Sequence, residues 1–175
     1  MKRSIHNNNT RRNKKMAQHT LVGEFHADHG KVVQALMDLR GAIRTRDAAK
    51  VRATLGEANK LVGPHFKFEE KYLYPSLIEY LGEAGLKRLF VEHDGVFRAV
   101  VSLVDLAAQE PWTEATAQSA AANLSLIWEH PVTCDGLSLY IERLPDNAKA
   151  TLLNRMEEMR REGTTLLEYR KERLS

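Results

Sequence analysis

A histidine and a glutamate four residues apart, His65 and Glu69, stand in the segment VGPHFKFEEKYLYPSL. Residues at this spacing lie on one face of an α-helix, so both side chains can reach the same object. Imidazole nitrogens and carboxylate oxygens are both common metal ligands. The pair therefore raises the question of whether other segments supply further ligands to the same place.

Histidines recur in similar settings along the chain. Five of the seven lie in segments that we predict to be helical and stand close to apolar residues: His26, His29, His65, His93 and His130. Any one of them alone is explained by a hydrogen bond in the core or by a place on the surface. Several imidazoles facing one apolar space cannot all become charged there, whereas a metal takes neutral nitrogen ligands. Four helices that each supply one histidine with a carboxylate nearby therefore favour a metal site.

The carboxylates indicate which metal. In a straight helix Asp135 lies about 140° round from His130, but Pro131 predicts a widened or kinked turn that brings both to one side. Imidazoles with two carboxylates suit iron or manganese, and bridging carboxylates suit a pair of ions, with zinc as the chemical alternative. Cys134, four residues after His130, is either a thiolate ligand or a small packing residue.

The elements that position these residues are predicted to be helices, because the chain has few glycines and prolines and long stretches of good helix formers. The periodicity predicts helices over residues 16–46, 47–81, 86–109, 113–144 and 146–174, with a kink at Gly63 and Pro64 and a turn at Gly82 and Gly85. Four long helices with short connections imply an up-down-up-down antiparallel four-helix bundle. The fifth is expected to pack on the bundle or extend from it.

The length of 175 residues fits one domain. We expect a disordered basic tail over residues 1–15, a metal-binding bundle over 16–145 and a C-terminal helix over 146–175. The net charge of +3 depends on the tail, which holds six of the 26 Lys and Arg residues and no acid. We interpret the tail as a solvated leader and expect no nucleic-acid partner.

The cellular setting is inferred from what the sequence lacks. A single cysteine excludes an intrachain disulfide. No apolar run reaches the length of a membrane span, and the basic start is not followed by an apolar signal core. We therefore expect a cytoplasmic protein without a membrane partner, and the sequence does not indicate a protein partner.

Four motifs, in order, resemble the hemerythrin family, including its HHE cation-binding relatives. They span roughly Gln18 to Leu144 and are ADHGKVVQAL with His29, HFKFEE with His65, Phe66 and Glu69, EHDGVF with His93, and HPVTCD with His130 and Asp135. The resemblance implies a non-haem di-iron centre with an oxo or hydroxo bridge, in which Glu69 and Asp135 also bridge the two iron ions. It further implies an open iron position where dioxygen could bind, with manganese or zinc as alternative ions.

One position departs from the oxygen-carrying members of that family, which have a second histidine one turn before the position of His93. Here that residue is Leu89. Either the iron served by the third and fourth helices is more open, or Glu92 or His26 moves in as an extra ligand; His26 is equally explained as a hydrogen-bonding neighbour. A more open iron favours redox or sensing chemistry over simple oxygen carriage.

These observations predict a protein that binds dioxygen, or nitric oxide or peroxide, for sensing, storage or detoxification. The first alternative is a di-iron enzyme that releases iron for repair or reduces peroxide. The second is a metal-free helical adaptor whose polar last helix docks a partner. We favour a binding protein over an enzyme, and we interpret Tyr72, Tyr74 and Trp128 as packing residues.

Overall fold

The computed structural model describes residues 19–175, and within that range the chain is helical and contains no strand. The predicted all-α class is therefore confirmed. The expected basic tail at residues 1–15 and the expected helix start near Met16 lie outside the described residues.

The helical elements, in chain order, are α1 (Leu21–Arg44), α2 (Ala48–Phe68), a π-helical turn (Glu69–Leu73), α3 (Tyr74–Ser76), α4 (Ile78–Ala107), α5 (Glu114–Ile127), α6 (His130–Asp135), α7 (Ser138–Ile141), α8 (Asp146–Glu162) and α9 (Leu166–Leu174). Thr20 caps α1 by accepting a hydrogen bond from the backbone N–H of Gly23. Asp47 caps α2 in the same way, as the sequence predicted, and its acceptor role satisfies the N–H of Lys50.

Helix α2 runs through Gly63 and Pro64 without interruption, so the kink expected there does not end the helix. The irregular turn comes later, where the N–H of Tyr74 donates to the carbonyl of Glu69, five residues back. Pro75 explains the wider turn, because it has no N–H and its ring crowds the carbonyl four residues earlier.

Two glycines interrupt helices by adopting positive φ angles. Gly82 (φ 64°, ψ 171°) is non-helical inside α4, whereas Gly85 remains helical, so the expected turn needs only the first of these two glycines. Gly163 (φ 66°) ends α8, and the chain restarts at a capping box of Thr165 and Glu168. The prediction of one additional C-terminal helix is therefore wrong: two helices, α8 and α9, occupy that segment.

The packing order follows from which helices touch. Helix α1 contacts α2, α5 and α6; α4 contacts α2 and α5; α8 and α9 both lie against α2. The buried apolar residues form two clusters, one containing Phe66 and Leu103 and the other containing Phe25 and Tyr74. None of the helices in the described range combines the length and apolar character needed to cross a membrane.

The C-terminal segment passes unusually close to α2. A Cβ added at Gly63 would lie 2.2 Å from the carbonyl oxygen of Thr164 and 2.4 Å from the backbone nitrogen of Leu166. Nearby, the N–H of Leu167 donates to Oδ1 of Asn59 at 3.0 Å. The absence of a side chain at Gly63 thus allows the turn between α8 and α9 to seat directly on α2.

Candidate metal centre

Glu69 lies at the centre of a buried cluster of histidines, and its side chain is fully inaccessible to solvent. Its Oε1 atom is 3.1 Å from Nε2 of His65, one turn earlier in α2. Its Oε2 atom is 3.2 Å from Nε2 of His93 in α4. One carboxylate therefore faces imidazoles from two different helices, one with each oxygen.

Two further histidines complete two close pairs. Nε2 of His29 in α1 lies 3.1 Å from Nε2 of His65, and Nε2 of His130 in α6 lies 3.1 Å from Nε2 of His93. All four imidazoles are buried. The structure thus brings together the histidines that the sequence singled out on four separate helices. The Nε2 atoms of His29, His65 and His93 lie within 3.9 Å of Glu69, and that of His130 lies beside His93.

The outward nitrogen of each histidine faces its own carboxylate. The Nδ1-to-oxygen distances are 3.1 Å for His29 with Asp135, 3.6 Å for His65 with Asp28, 2.8 Å for His93 with Glu70 and 3.5 Å for His130 with Glu92. A carboxylate at Nδ1 favours the tautomer that carries its proton there and leaves the Nε2 lone pair free. His29 and His93 make such a hydrogen bond, whereas the Nδ1 atoms of His65 and His130 lie beside their carboxylates without one. In their neutral form the four imidazoles would present Nε2 lone pairs to one pocket.

Charge in the pocket is divided between Glu69 and two of the imidazoles. Burial disfavours the charged form of His65, but the Glu69 carboxylate outweighs burial and raises the pKa of His65 to about 9. Burial likewise opposes ionisation of Glu69, yet His65 and His93 hold the pKa of its carboxyl well below the usual range. Against the effect of burial, the neighbouring carboxylates of Glu69 and Glu70 raise the pKa of His93. Without metal, the Glu69 carboxylate therefore favours the protonated form of both imidazoles.

The other member of each pair stays neutral. Burial and the charge of His65 lower the pKa of His29 to about 4. Burial and the charge of His93 lower the pKa of His130 to about 3. Each pair thus combines an imidazole whose pKa is raised with one whose pKa is lowered, and a cation bound where the two Nε2 atoms meet would replace the proton of the first.

The residues fit a pair of metal ions. Metal–ligand bonds of about 2.1 Å at right angles put neighbouring ligand atoms about 3 Å apart, and both Nε2–Nε2 separations are 3.1 Å. Oε2 of Glu69 is buried, and although it lies 3.2 Å from Nε2 of His93, no group among residues 19–175 makes a well-aligned hydrogen bond to it. A buried carboxylate oxygen without a partner is costly unless a cation occupies the space in front of it.

Asp135 lies at the edge of the cluster, with its side chain 38% exposed. Its Oδ1 atom is 2.6 Å from Nδ1 of His26 and 3.1 Å from Nδ1 of His29. The structure therefore places this carboxylate beside the outer nitrogen of His29, with His26 as its hydrogen-bonding neighbour. The helical hydrogen-bond pattern is interrupted just before Pro131, where a widened or kinked turn was predicted. Helix α5 ends at Ile127 and α6 begins at His130, while Trp128 and Glu129 between them keep right-handed helical backbone angles.

Two of the four carboxylates that face the outer nitrogens, Asp28 and Glu70, were not predicted from the sequence, and neither were the residues that hold them. Arg160 in α8 donates to Asp28 at 2.8 Å. Burial would raise the pKa of Asp28, but His65 and then Arg160 keep that pKa below its usual range. In α9 the Tyr169 hydroxyl donates to Glu70 at 2.8 Å. The C-terminal helices thus reach the site through two carboxylates; in the sequence, the only signals were that Asp28 and Glu70 adjoin His29 and Glu69.

Tyr74 and Cys134 also belong to the site. The Tyr74 hydroxyl lies 2.9 Å from Nε2 of His93, and the Cys134 thiol donates to Oε1 of Glu69 at 2.9 Å. Burial, followed by the Glu69 charge, raises the pKa of both groups well above their usual values. The interpretation of Tyr74 as a packing residue was incomplete, and Pro75, which widens the turn after Glu69, was the available signal.

Aromatic rings form the walls of the cluster. Phe66 stacks on His93 with ring centroids 3.7 Å apart, and Phe25 meets His29 edge-on at 4.4 Å. Tyr72, by contrast, lies under Arg155 away from the cluster, and Trp128 packs on the apolar core as expected. The rings exclude water and strengthen the electrostatic interactions inside.

Comparison with known proteins gives one family. The hemerythrin HHE cation binding domain matches residues 20–130, which is more than half of the 175-residue chain. The matched range contains all four inward-facing histidines and Glu69, and it ends before Asp135. No curated protein and no solved structure gave a significant match.

Proposed function

The chain belongs to the hemerythrin HHE cation binding domain family, and on that premise we propose that it is a non-haem di-iron protein that binds dioxygen or nitric oxide. His29, His65 and Oε1 of Glu69 would hold one ion. His93, His130 and Oε2 of Glu69 would hold the other. The convergence of four Nε2 atoms on one buried carboxylate is the observation that carries this proposal.

Asp135 is proposed as a further bridging ligand on the family pattern, although its carboxylate contacts the outer nitrogen of His29. Glu92 faces Nδ1 of His130, so we assign it the role of orienting that ring, not of binding metal. Nδ1 of His26 forms a hydrogen bond with Oδ1 of Asp135, so we assign His26 the role of orienting that carboxylate, not of binding metal. These three assignments separate direct ligands from the groups that position them.

The proposed bundle consists of α1, α2, α4 and the pair α5 and α6. Each of these contacts two of the others, so that they form a closed ring of neighbours, as an antiparallel four-helix bundle requires. We propose residues 16–145 as this metal-binding unit and residues 146–175 as the segment that buttresses it through Asp28 and Glu70.

Iron is favoured over zinc by the donor set. Imidazoles and carboxylates are borderline to hard ligands, and a carboxylate shared between two ions is typical of di-iron and di-manganese proteins. Cys134 is not assigned as a ligand in this proposal, because its thiol donates a hydrogen bond to Oε1 of Glu69, the atom assigned to the first ion. Bound iron would supply reversible redox chemistry and an exchangeable coordination position.

A small cavity supports an uncharged diatomic ligand. Its volume is about 50 Å³, it is walled almost entirely by apolar side chains, among them Phe66, Val96 and Val100, and it reaches His130. Apolar cavities of this size do not retain water well, whereas dioxygen and nitric oxide are apolar enough to enter. Peroxide is more polar and fits this cavity less well.

The first experiment measures metal content after isolation without chelator from iron-replete cells. We expect about two irons per chain, an oxidised form that absorbs visible light, and loss of both properties in His65→Ala and Glu69→Ala. His19→Ala is the matched control, because His19 is exposed and far from the cluster. A colourless, metal-free wild-type protein would overturn the proposal and would favour the metal-free adaptor.

The second experiment tests the ligand. Val100→Phe should fill the cavity and slow the association of dioxygen or nitric oxide several-fold without changing iron content. Val104→Phe, one turn further along α4 and 38% exposed, is the control. Sustained turnover of peroxide or nitric oxide at steady state would instead favour the enzyme alternative.

A further inference from the structure

We propose that the phenolate oxygen of Tyr74 is a direct ligand of the second ion, the one held by His93 and His130. The inference rests on the proposed di-iron site and goes beyond it by assigning a further protein donor to the second ion. That donor would occupy the coordination position left empty by Leu89, whose side chain offers no ligand atom.

The first support is the set of distances around Nε2 of His93. Three atoms that could bind a metal ion lie close to it. They are the hydroxyl oxygen of Tyr74 at 2.9 Å, Nε2 of His130 at 3.1 Å and Oε2 of Glu69 at 3.2 Å. Ligands that share one ion as neighbours are separated by about 3 Å. The hydroxyl of Tyr74 therefore lies at the same spacing from His93 as the two expected ligands of that ion.

The second support is the backbone. In a regular α-helix Tyr74 would point about 140° away from Glu69, because five residues exceed one turn. The π-helical turn closes a hydrogen bond from the N–H of Tyr74 to the carbonyl of Glu69, which brings residue 74 round to the side of residue 69. The irregular turn thus delivers the phenol to the carboxylate that serves both ions.

The third support is the burial of the Tyr74 hydroxyl among groups of the metal site. The Tyr74 side chain is fully buried, and within the described part of the chain its hydroxyl meets only Nε2 of His93 and, at 3.7 Å, the thiol of Cys134. Leu89 is itself 7% exposed and belongs to the same apolar cluster as Tyr74. A buried polar group that faces the inward nitrogen of an expected ligand fits coordination better than packing.

Coordination breaks the O–H bond of Tyr74 and forms an oxygen–iron bond. The electron pair stays on the oxygen, the proton is released to solvent, and neither partner changes oxidation state. A hard anionic oxygen favours the ferric ion. The second iron should therefore be the more readily oxidised of the two.

The test uses resonance Raman and visible absorption of the full-length, iron-loaded protein. Ferric phenolate gives a broad visible charge-transfer band, and excitation in that band enhances tyrosine ring vibrations. Wild-type protein should display these vibrations, and they should shift when tyrosine with a deuterated ring is incorporated. This measurement requires no variant and so does not depend on how a mutant folds.

Two variants identify the residue. Tyr74→Phe keeps the ring that packs against Phe90, and it should abolish the phenolate vibrations and weaken binding of the second iron(II) ion at least about tenfold. Tyr72→Phe is the matched control and should change neither, because the Tyr72 ring lies under Arg155.

Two failures are distinguishable. Wild-type protein without iron overturns the proposed function and this inference with it. Wild-type protein that holds two irons but lacks phenolate vibrations, or a Tyr74→Phe variant that retains them, overturns the Tyr74 assignment alone and leaves the di-iron site standing.

Discussion

The carboxylate of Glu70 lies 2.8 Å from Nδ1 of His93, on the side of the ring opposite to Glu69. The other oxygen of Glu70 accepts hydrogen bonds from the Tyr169 hydroxyl at 2.8 Å and from Nε of Arg173 at 2.9 Å. A chain of contacts thus runs from α9 through Glu70 to the imidazole that faces the pocket. Arg160 forms the corresponding chain through Asp28 to His65.

We predict that Tyr169→Phe weakens metal binding about tenfold while the fold is retained. The variant removes a donor to Glu70, and outer hydrogen bonds of this kind orient ligating histidines and increase their basicity. Competition with a chromophoric chelator measures the affinity. Tyr140→Phe is the control, since its ring is partly exposed and packs near Tyr80. Equal affinities for the two variants would contradict a positioning role for α9.

Leu89→His is expected to raise iron occupancy or to lengthen the lifetime of the oxygen adduct. The substitution places an imidazole one turn before His93, where the oxygen-carrying members of the family have one. In the Tyr74→Phe background it should restore the second ion, as metal analysis would report. Leu86→His, almost one turn earlier in α4, is the matched control. If neither the iron occupancy nor the adduct lifetime changes, residue 89 does not correspond to the second histidine of the oxygen-carrying members.

His26 and Asp135 are expected to behave differently although they touch. Asp135→Ala should lower metal affinity at least about tenfold, because it removes a proposed bridging ligand that also contacts Nδ1 of His29. His26→Ala should keep two irons per chain, because the side chain of His26 is 46% exposed and its Nδ1 atom is hydrogen-bonded to Asp135. Loss of one iron in His26→Ala would instead identify His26 as a ligand.

Gly63→Ala is predicted to destabilise the protein by about 1–3 kcal/mol, as overpacking of a tight contact does. The added Cβ would meet the backbone of Thr164 and Leu166, and backbone atoms cannot swing aside as side chains can. Urea unfolding measures the change. Gly56→Ala is the control in the same helix: nothing lies within 4 Å of its added Cβ, so helix propensity should stabilise the protein by about 0.5–1 kcal/mol.

A Gly63→Ala variant that unfolds like wild type would indicate that the turn after α8 does not press on α2. If the variant folds but α8 and α9 no longer pack against α2, metal affinity should fall as well. Asp28 would then lose its hydrogen bond from Arg160, and Glu70 would lose its hydrogen bond from Tyr169. The two measurements therefore connect the docking of α8 and α9 with the metal site.

The sequence by itself determined the helical class and the spacing of His65 and Glu69. Helical periodicity depends only on local geometry, so residues one turn apart must share a face wherever the helix lies. The Asp47 cap and the helix break at Gly82 were predictable for the same local reason. The order of the four motifs along the chain likewise indicated the family.

Only the tertiary structure decided which carboxylates face the outer nitrogens and which hydroxyl enters the pocket. Asp28 and Glu70 are unremarkable in the sequence, and their partners Arg160 and Tyr169 are about a hundred residues or more away along the chain. Tyr74 became a site residue because one π-helical turn rotates it, and that rotation depends on how Pro75 is accommodated. Contacts between distant helices and the phase of an irregular turn are set by packing, which local periodicity does not encode.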